Sequence, residues 1–177
     1  LGLTTVAVSV AHYLPEMNRR IFLPHKQAYV GLPALIQTLH GCGFSVRLAC
    51  TLADGFIDGS RSLGELIAFA REHQVEQLTV RPVNRPANSR NQEAQTWANE
   101  HHLRPEQLED IRRFLEANGA LLMTLIHGAR VYDVEGQNVC LTDSLTLEAN
   151  SDDLRQLIFF PDGHLRYDWQ YKGAILL

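Results

Sequence analysis

Four groups of side chains in this sequence have the types and positions to do chemistry. Ser9 lies in a run of small and β-branched residues, Val6-Ala7-Val8-Ser9-Val10, and His12 follows it. A hydroxyl at a strand end can hydrogen-bond a ligand carboxylate or sugar, or be satisfied by nearby backbone. Arg47 interrupts a second apolar run, Val46-Arg47-Leu48-Ala49-Cys50-Thr51-Leu52. A guanidinium in a buried strand needs a partner, either an anionic ligand or an internal carboxylate such as Asp54. Arg81, Arg85 and Arg90 gather around Pro82, Pro86 and an Asn-rich loop. Guanidiniums crowded at one strand end could clamp a phosphate or carboxylate, the alternative being a solvated loop. His101 and His102 are adjacent and so face different sides of a helix, and His127 follows an apolar run where it could act as a proton carrier or be capped and exposed.

Other chemistries are excluded by pattern. There is no His-x-x-x-His pair, Gly-rich phosphate loop or Ser nucleophile elbow. The cysteines are Cys42, Cys50 and Cys140, widely scattered and odd in number, which fits neither a disulfide framework nor a zinc site and suits a reducing cytoplasm. Cys50 reads as a small core residue. A formal net charge of -4 argues against a nucleic-acid or anionic-membrane binder, which depends on a basic surface. Small molecules are the expected partners. The longest apolar runs, such as Ala120 to Ile126, fall far short of the roughly 20 residues of a membrane helix.

The elements that must position these residues follow from periodicity and punctuation. Val6 to Val10 enters at once as a strand buried on both faces, with neither a Met nor a signal peptide before it, so the chain is expected to begin inside a fold. Pro33 opens a helix through Leu35, Ile36 and Leu39 that Gly41 and Gly43 close. Phe44 to Leu52 is the next strand. Ser62-Leu63-Gly64-Glu65 has the form of a capping box, heading a helix whose stripe is Leu63, Leu66, Ile67 and Ala70. Val75 to Val83 is a third strand. After the polar loop from Asn84 to Asn91 come a helical stretch to about His102, a helix from Pro105 to Gly119 and a strand from Ala120 to Ile126.

Strands alternating with helices predict right-handed crossovers and a parallel sheet. The tail is antiparallel: Val131–Val134 and Val139–Thr142 flank Glu135-Gly136, and Leu157–Phe160 and Leu165–Trp169 flank Pro161-Asp162-Gly163. The expected fold is α/β, a partial (β/α) barrel segment over residues 1–127 with an antiparallel β extension over 128–177.

The stretch from Gly2 to about Val83 resembles the second half of the barrel of the radical S-adenosylmethionine superfamily, nearest its molybdenum-cofactor cyclase branch. The matching features are Val6-Ala7-Val8-Ser9, the helix closed by Gly43, Val46-Arg47-Leu48 running on to Asp54-Gly55, the helix with Leu66-Ile67-Ala68-Phe69-Ala70, and the strand from Val75-Glu76 to Arg81-Pro82-Val83. The resemblance implies S-adenosylmethionine bound at the carboxyl ends of the strands beside a 4Fe-4S cluster, which cleaves it to a 5'-deoxyadenosyl radical. By position it implies that Ser9 contacts the S-adenosylmethionine, that Arg47 stands where a basic residue faces substrate or cofactor, and that Val83 lines the adenine. Arg81, Arg85 and Arg90, crowded at their strand end, are the candidates for binding substrate.

The family's C-x-x-x-C-x-x-C loop is absent, and thiolates are what hold such a cluster, so this chain alone is not expected to make the radical. The cyclase branch also carries a second cysteine cluster where this tail offers only Cys140, which implies a relative acting on another substrate. Two rival expectations remain: a non-catalytic module binding a nucleotide-like anion through Arg47, Arg81 and Arg85, and an interaction protein. In the second, an exposed sheet edge pairs with another chain, whereas in the enzyme reading the missing amino-terminal barrel half covers that edge.

Overall fold

A computed structural model describes residues 2–85, 91–125, 128–142, 157–159 and 162–166. By compactness the chain divides into Leu1–Thr146 and Leu147–Leu177. The first unit is a mixed α/β structure built on a six-stranded sheet. Its elements are β1 (Thr5–Val10), α1 (Pro15–Phe22), α2 (Leu32–Gly41), β2 (Ser45–Leu52), α3 (Ser60–Glu72), β3 (Gln77–Pro82), α4 (Gln92–Glu100), α5 (Pro105–Asn118), β4 (Ala120–Thr124), β5 (Arg130–Val134) and β6 (Gln137–Leu141). In the second unit, β7 (Ile158–Phe159) and β8 (Leu165–Arg166) form a small antiparallel sheet. Pro161, Phe160 and residues 167–169 of that expected hairpin lie outside the described residues.

Strand order in the large sheet is β1-β2-β3-β6-β5-β4. β1, β2, β3 and β6 run parallel, while β5 is antiparallel to both of its neighbours. The hairpin at Glu135-Gly136 forms as its sequence indicates: both residues have positive φ, 51° and 86°, which matches the right-handed twist of the strands it joins. Its second strand then docks beside β3, with Leu78 opposite Val139 and Val80 opposite Leu141. The tail from residue 128 thus begins as part of the same sheet as the parallel strands.

Alternation decides the architecture. On β2 the even residues Val46, Leu48, Cys50 and Leu52 are buried, while Arg47 is exposed and Ala49 and Thr51 are half-exposed. On β1, Ala7 and Ser9 are exposed and Val10 is buried. The expectation of strands buried on both faces is therefore corrected: one face is covered and the other is open. The covered face packs Leu48, Leu78, Val80 and Val139 with Ile36 of α2, Leu63, Leu66 and Ile67 of α3, and Ile111 and Leu115 of α5 in one core.

The helix ends show why these residues stop and start where they do. At the end of α2, Phe44 N–H donates to Leu39 O (3.1 Å) and Gly43 N–H to His40 O (2.8 Å), with Gly43 at φ 80°. This pairing satisfies the last carbonyls and needs a residue that tolerates left-handed backbone. The capping box expected from Ser62 and Glu65 is not formed as such. The helix starts earlier, at Ser60, and Ser62 Oγ instead accepts from Gly59 N–H (3.2 Å) and Asp58 N–H (3.0 Å). Glu65 is free to accept from Tyr13 Oη (3.0 Å) and pairs with Arg61 (3.2 Å). The segment holding α1, which the sequence pattern does not disclose, is a helix with Pro15 in its first turn.

Gly119 ends α5 because nothing larger fits. A Cβ there would lie 2.9 Å from Leu115 O, 3.0 Å from Val134 Cγ2 and 3.2 Å from Tyr132 Cβ. Gly119→Ala should therefore destabilise the protein by about 1–3 kcal/mol in urea denaturation, the usual cost of overpacking. An unchanged midpoint would show that the α5–β4 corner yields freely. β4 itself is exposed at every residue and stands at the sheet edge opposite β1.

Candidate functional site

The open face of the sheet gathers the polar residues of the strands into rows. Pairing places Ala7, Arg47 and Gln77 side by side, and one step further along the strands Ser9, Ala49, Thr79 and Cys140. Two residues beyond, Thr51 stands beside Arg81. Arg47 Nε donates to Gln77 Oε1 at 2.6 Å. Arg47 is exposed, not buried, and Asp54 is engaged elsewhere, so the internal-carboxylate partner considered for it is not the one it takes. Among the described residues neither Arg47 nor Arg81 has a carboxylate within ion-pair distance.

A groove of about 340 Å³ runs over this face, floored by Arg47, Gln77, Thr79, Asn138 and Cys140 and walled by Leu125 and Val131. The polar floor comes from odd-numbered positions of β2 and β3 and from even-numbered Asn138 and Cys140 of β6. Single-strand patterns do not reveal that these meet, because only register brings them together. Burial pushes the Cys140 thiol up, and the nearby Arg47 charge opposes that. Cys50 lies on the covered face, where burial pushes its thiol up to about 12, so it is inert core packing as expected. Cys42 is exposed at the end of α2.

Beyond the carboxyl ends of the strands the surroundings change. Val83 continues the β3 ladder by donating to Leu52 O (2.9 Å) and packs with Ala11, Ala53, Phe56, Met17 and Trp97 in a small apolar cluster. The Arg20 guanidinium sits 5.4 Å from the Phe56 ring centre. Ser9 and Val83 are therefore not at one level. Ser9 is level with Thr79, so four residues, roughly 13 Å of strand, separate them. Only a ligand elongated along the strands could touch both.

The arginines grouped by sequence divide in the structure. Arg81 points to the open face, Arg85 meets His102, and Arg90 lies outside the described residues. His101 and His102 do face different ways: His101 Nδ1 donates to Asp54 O (2.9 Å) and its ring packs on Trp97. His127 is outside the described residues.

The turn after β1 is held by a residue that sequence reasoning passes over. Asn18 of α1 is fully buried, and its Oδ1 accepts from Ala11 N–H (2.7 Å) and His12 N–H (3.1 Å). Its Nδ2 donates to His12 O (2.6 Å) and Leu14 O (3.3 Å). His12 in turn is only 8% exposed and accepts from Leu14 N–H through Nδ1 (3.0 Å). This places His12 in a structural role.

Burial lowers the His12 pKa, with the acids Glu16, Glu65 and Asp58 opposing. A lowered folded-state value means that the unfolded chain binds the proton more readily, so stability falls as pH drops through the region just below 6.5. The difference in stability between wild type and His12→Gln should therefore shrink on acidification from pH 7 to pH 5.5. A difference that stays constant with pH would refute this assignment.

Among the described residues no group of three or more His, Cys, Asp and Glu side chains could hold a metal ion. Cys42 is exposed at a helix end, Cys50 is buried in the core and Cys140 lines the groove on the other face of the sheet, so this donor set does not fit an iron-sulfur cluster. Nor is any helix among the described residues long and apolar enough to cross a membrane. No protein-family model, curated protein or solved structure matches the chain.

Proposed function

We propose that this chain is the carboxyl-terminal part of a radical S-adenosylmethionine enzyme, its open sheet face forming one inner wall of a partial (β/α) barrel. The observation that carries this reading is the one-sided sheet: parallel strands whose covered face packs on α2, α3 and α5, and whose other face is open and carries Ser9, Arg47 and Arg81 among apolar residues. A barrel wall needs that division. β1 at the sheet edge leaves room for further parallel strands.

The iron-sulfur cluster would have to be held by thiolates outside this chain. S-adenosylmethionine is a different case, because its parts suit what the wall offers. An elongated molecule with a carboxylate and amine at one end and an adenine at the other could lie along the strands, with Arg47 and Ser9 taking the amino-acid end and Val83 the adenine. When bound, it supplies the sulfonium whose cleavage begins the reaction. Arg81 and Arg85 would then face an unidentified substrate.

Two measurements test this. The coding sequence upstream of Leu1 should specify three cysteines spaced C-x-x-x-C-x-x-C, and its lack of them would overturn the catalytic reading. In equilibrium dialysis of the protein with S-adenosylmethionine, Arg47→Ala should weaken binding by about tenfold or more, equivalent to about 1.4 kcal/mol. Unchanged affinity would remove Arg47 from the site.

A second reading, a module that binds a nucleotide-like anion without catalysis, is favoured by the absence of carboxylate partners for Arg47 and Arg81 among the described residues. Binding of simple nucleotides in preference to S-adenosylmethionine would support it over the first.

A further inference from the structure

Past the end of β3, a cavity of about 300 Å³ opens between the strand end and the start of α5. Its walls are mostly apolar, made by Pro82, Val83, Leu103 and Leu108. Its polar lining is the contacting pair Arg85 and His102, together with Asn84. Arg85 Nη2 donates to His102 Nε2. A guanidinium keeps its charge at all ordinary pH and has only donors, so this contact requires a neutral imidazole presenting a lone pair.

Among the described residues the pair has no acid of its own. Asp54 is the carboxylate that acts on His102, but its Oδ1 accepts from Gln107 Nε2 (2.6 Å) and its Oδ2 lies 3.5 Å from Arg104 Nη1. Among the described residues Arg85 has no carboxylate within ion-pair distance. The result is a positive charge and a titratable ring in contact with each other in the lining of a mostly apolar hollow, the combination that suits a ligand with an anionic head and an apolar body.

We propose that this cavity binds a small organic carboxylate, its head on Arg85 and His102 and its apolar body against Val83, Leu103 and Leu108. The proposal rests on reading this strand end as substrate-facing and names the class of substrate. The state of His102 follows. Burial, then the charges of Arg85 and Arg104, hold its pKa below the usual histidine value, while Asp54 opposes them. A bound carboxylate would counter the Arg85 charge and accept a hydrogen bond from the protonated ring, so ligand binding should carry a proton in with it.

Benzoate is a suitable probe, followed by the His102 ring resonances in an NMR titration of the whole chain without S-adenosylmethionine. Benzoate should bind saturably and raise the His102 pKa, and neutral benzamide should do neither. Arg85→Gln should weaken benzoate at least about tenfold, and Leu108→Phe, which fills the hollow without changing charge, should do the same. The exposed Arg113→Gln should leave it unchanged.

Benzoate binding that survives Arg85→Gln, or that inorganic phosphate matches in affinity, would overturn the proposal, since the head or the apolar wall would then contribute nothing. Failure here with S-adenosylmethionine binding intact removes this site alone. The reverse outcome strikes the enzyme reading and leaves the site standing.

Discussion

Replacing Asn18 with alanine should cost roughly 3–5 kcal/mol and loosen the turn after β1, a large effect for one uncharged side chain. The amides of Ala11 and His12 and the carbonyl of His12 all lean on this one carboxamide, while the Leu14 carbonyl also accepts from the Met17 and Asn18 amides. Asn18 is 0% exposed, so water does not replace it without opening the packing around it. Each buried backbone group left without a partner costs about 1–3 kcal/mol. Asn18→Asp should be little better, because it keeps the acceptor but loses the donor and buries a charge. Urea denaturation measures the loss, and amide exchange at Ala11 and His12 locates it. A loss below about 1 kcal/mol would mean that the turn holds itself.

The second large effect contrasts neighbours on one strand. Leu78→Ala should cost roughly 3–4 kcal/mol, within the range for removing a buried leucine from a core that relaxes only partly. Leu78 is fully buried on β3, between Leu48 of β2 and Val139 of β6. Thr79, the next residue, faces the groove, and Thr79→Ala should move stability by no more than about 0.5 kcal/mol. Equal losses at the two positions would mean that the open face is covered in solution by something that packs on it.

That contrast also explains how far the sequence can be read. The strand-helix order, the Gly43 stop, the apolar stripe of α3 and the Glu135-Gly136 hairpin all rest on local chemistry, and all are found. Flanked by Val46 and Leu48, Arg47 reads as buried. The same segment, read at period two, puts Arg47, Ala49 and Thr51 together on the face away from Val46, Leu48 and Cys50. The signal is present, but the small residues at alternate positions blur it.

Other features are not legible, because they depend on pairing between distant segments. β6 lies parallel to β3 although its hairpin looks self-contained in the sequence, so nothing local joins the groove residues Asn138 and Cys140 to Gln77 and Thr79. The helix α1 has only eight residues, too few for a convincing periodic stripe, and much of its anchorage is the buried Asn18. The grouping of Arg81 with Arg85 fails for a related reason. Close in sequence, they fall on opposite sides of the point where the strand ends, so one faces the sheet and the other a cavity beside α5.

The alternation of the strands has an evolutionary consequence. Residues that hold the chain together and residues that could touch a ligand occupy alternate positions, so mutations can accumulate in one set with little penalty from the other. Drift at Arg47, Gln77, Thr79 or Asn138 can change what the groove accepts while Leu48, Leu78, Val80 and Val139 keep the scaffold folded. The lining of the groove can therefore be rebuilt by a few substitutions, none of which has to pass through an unstable ancestor.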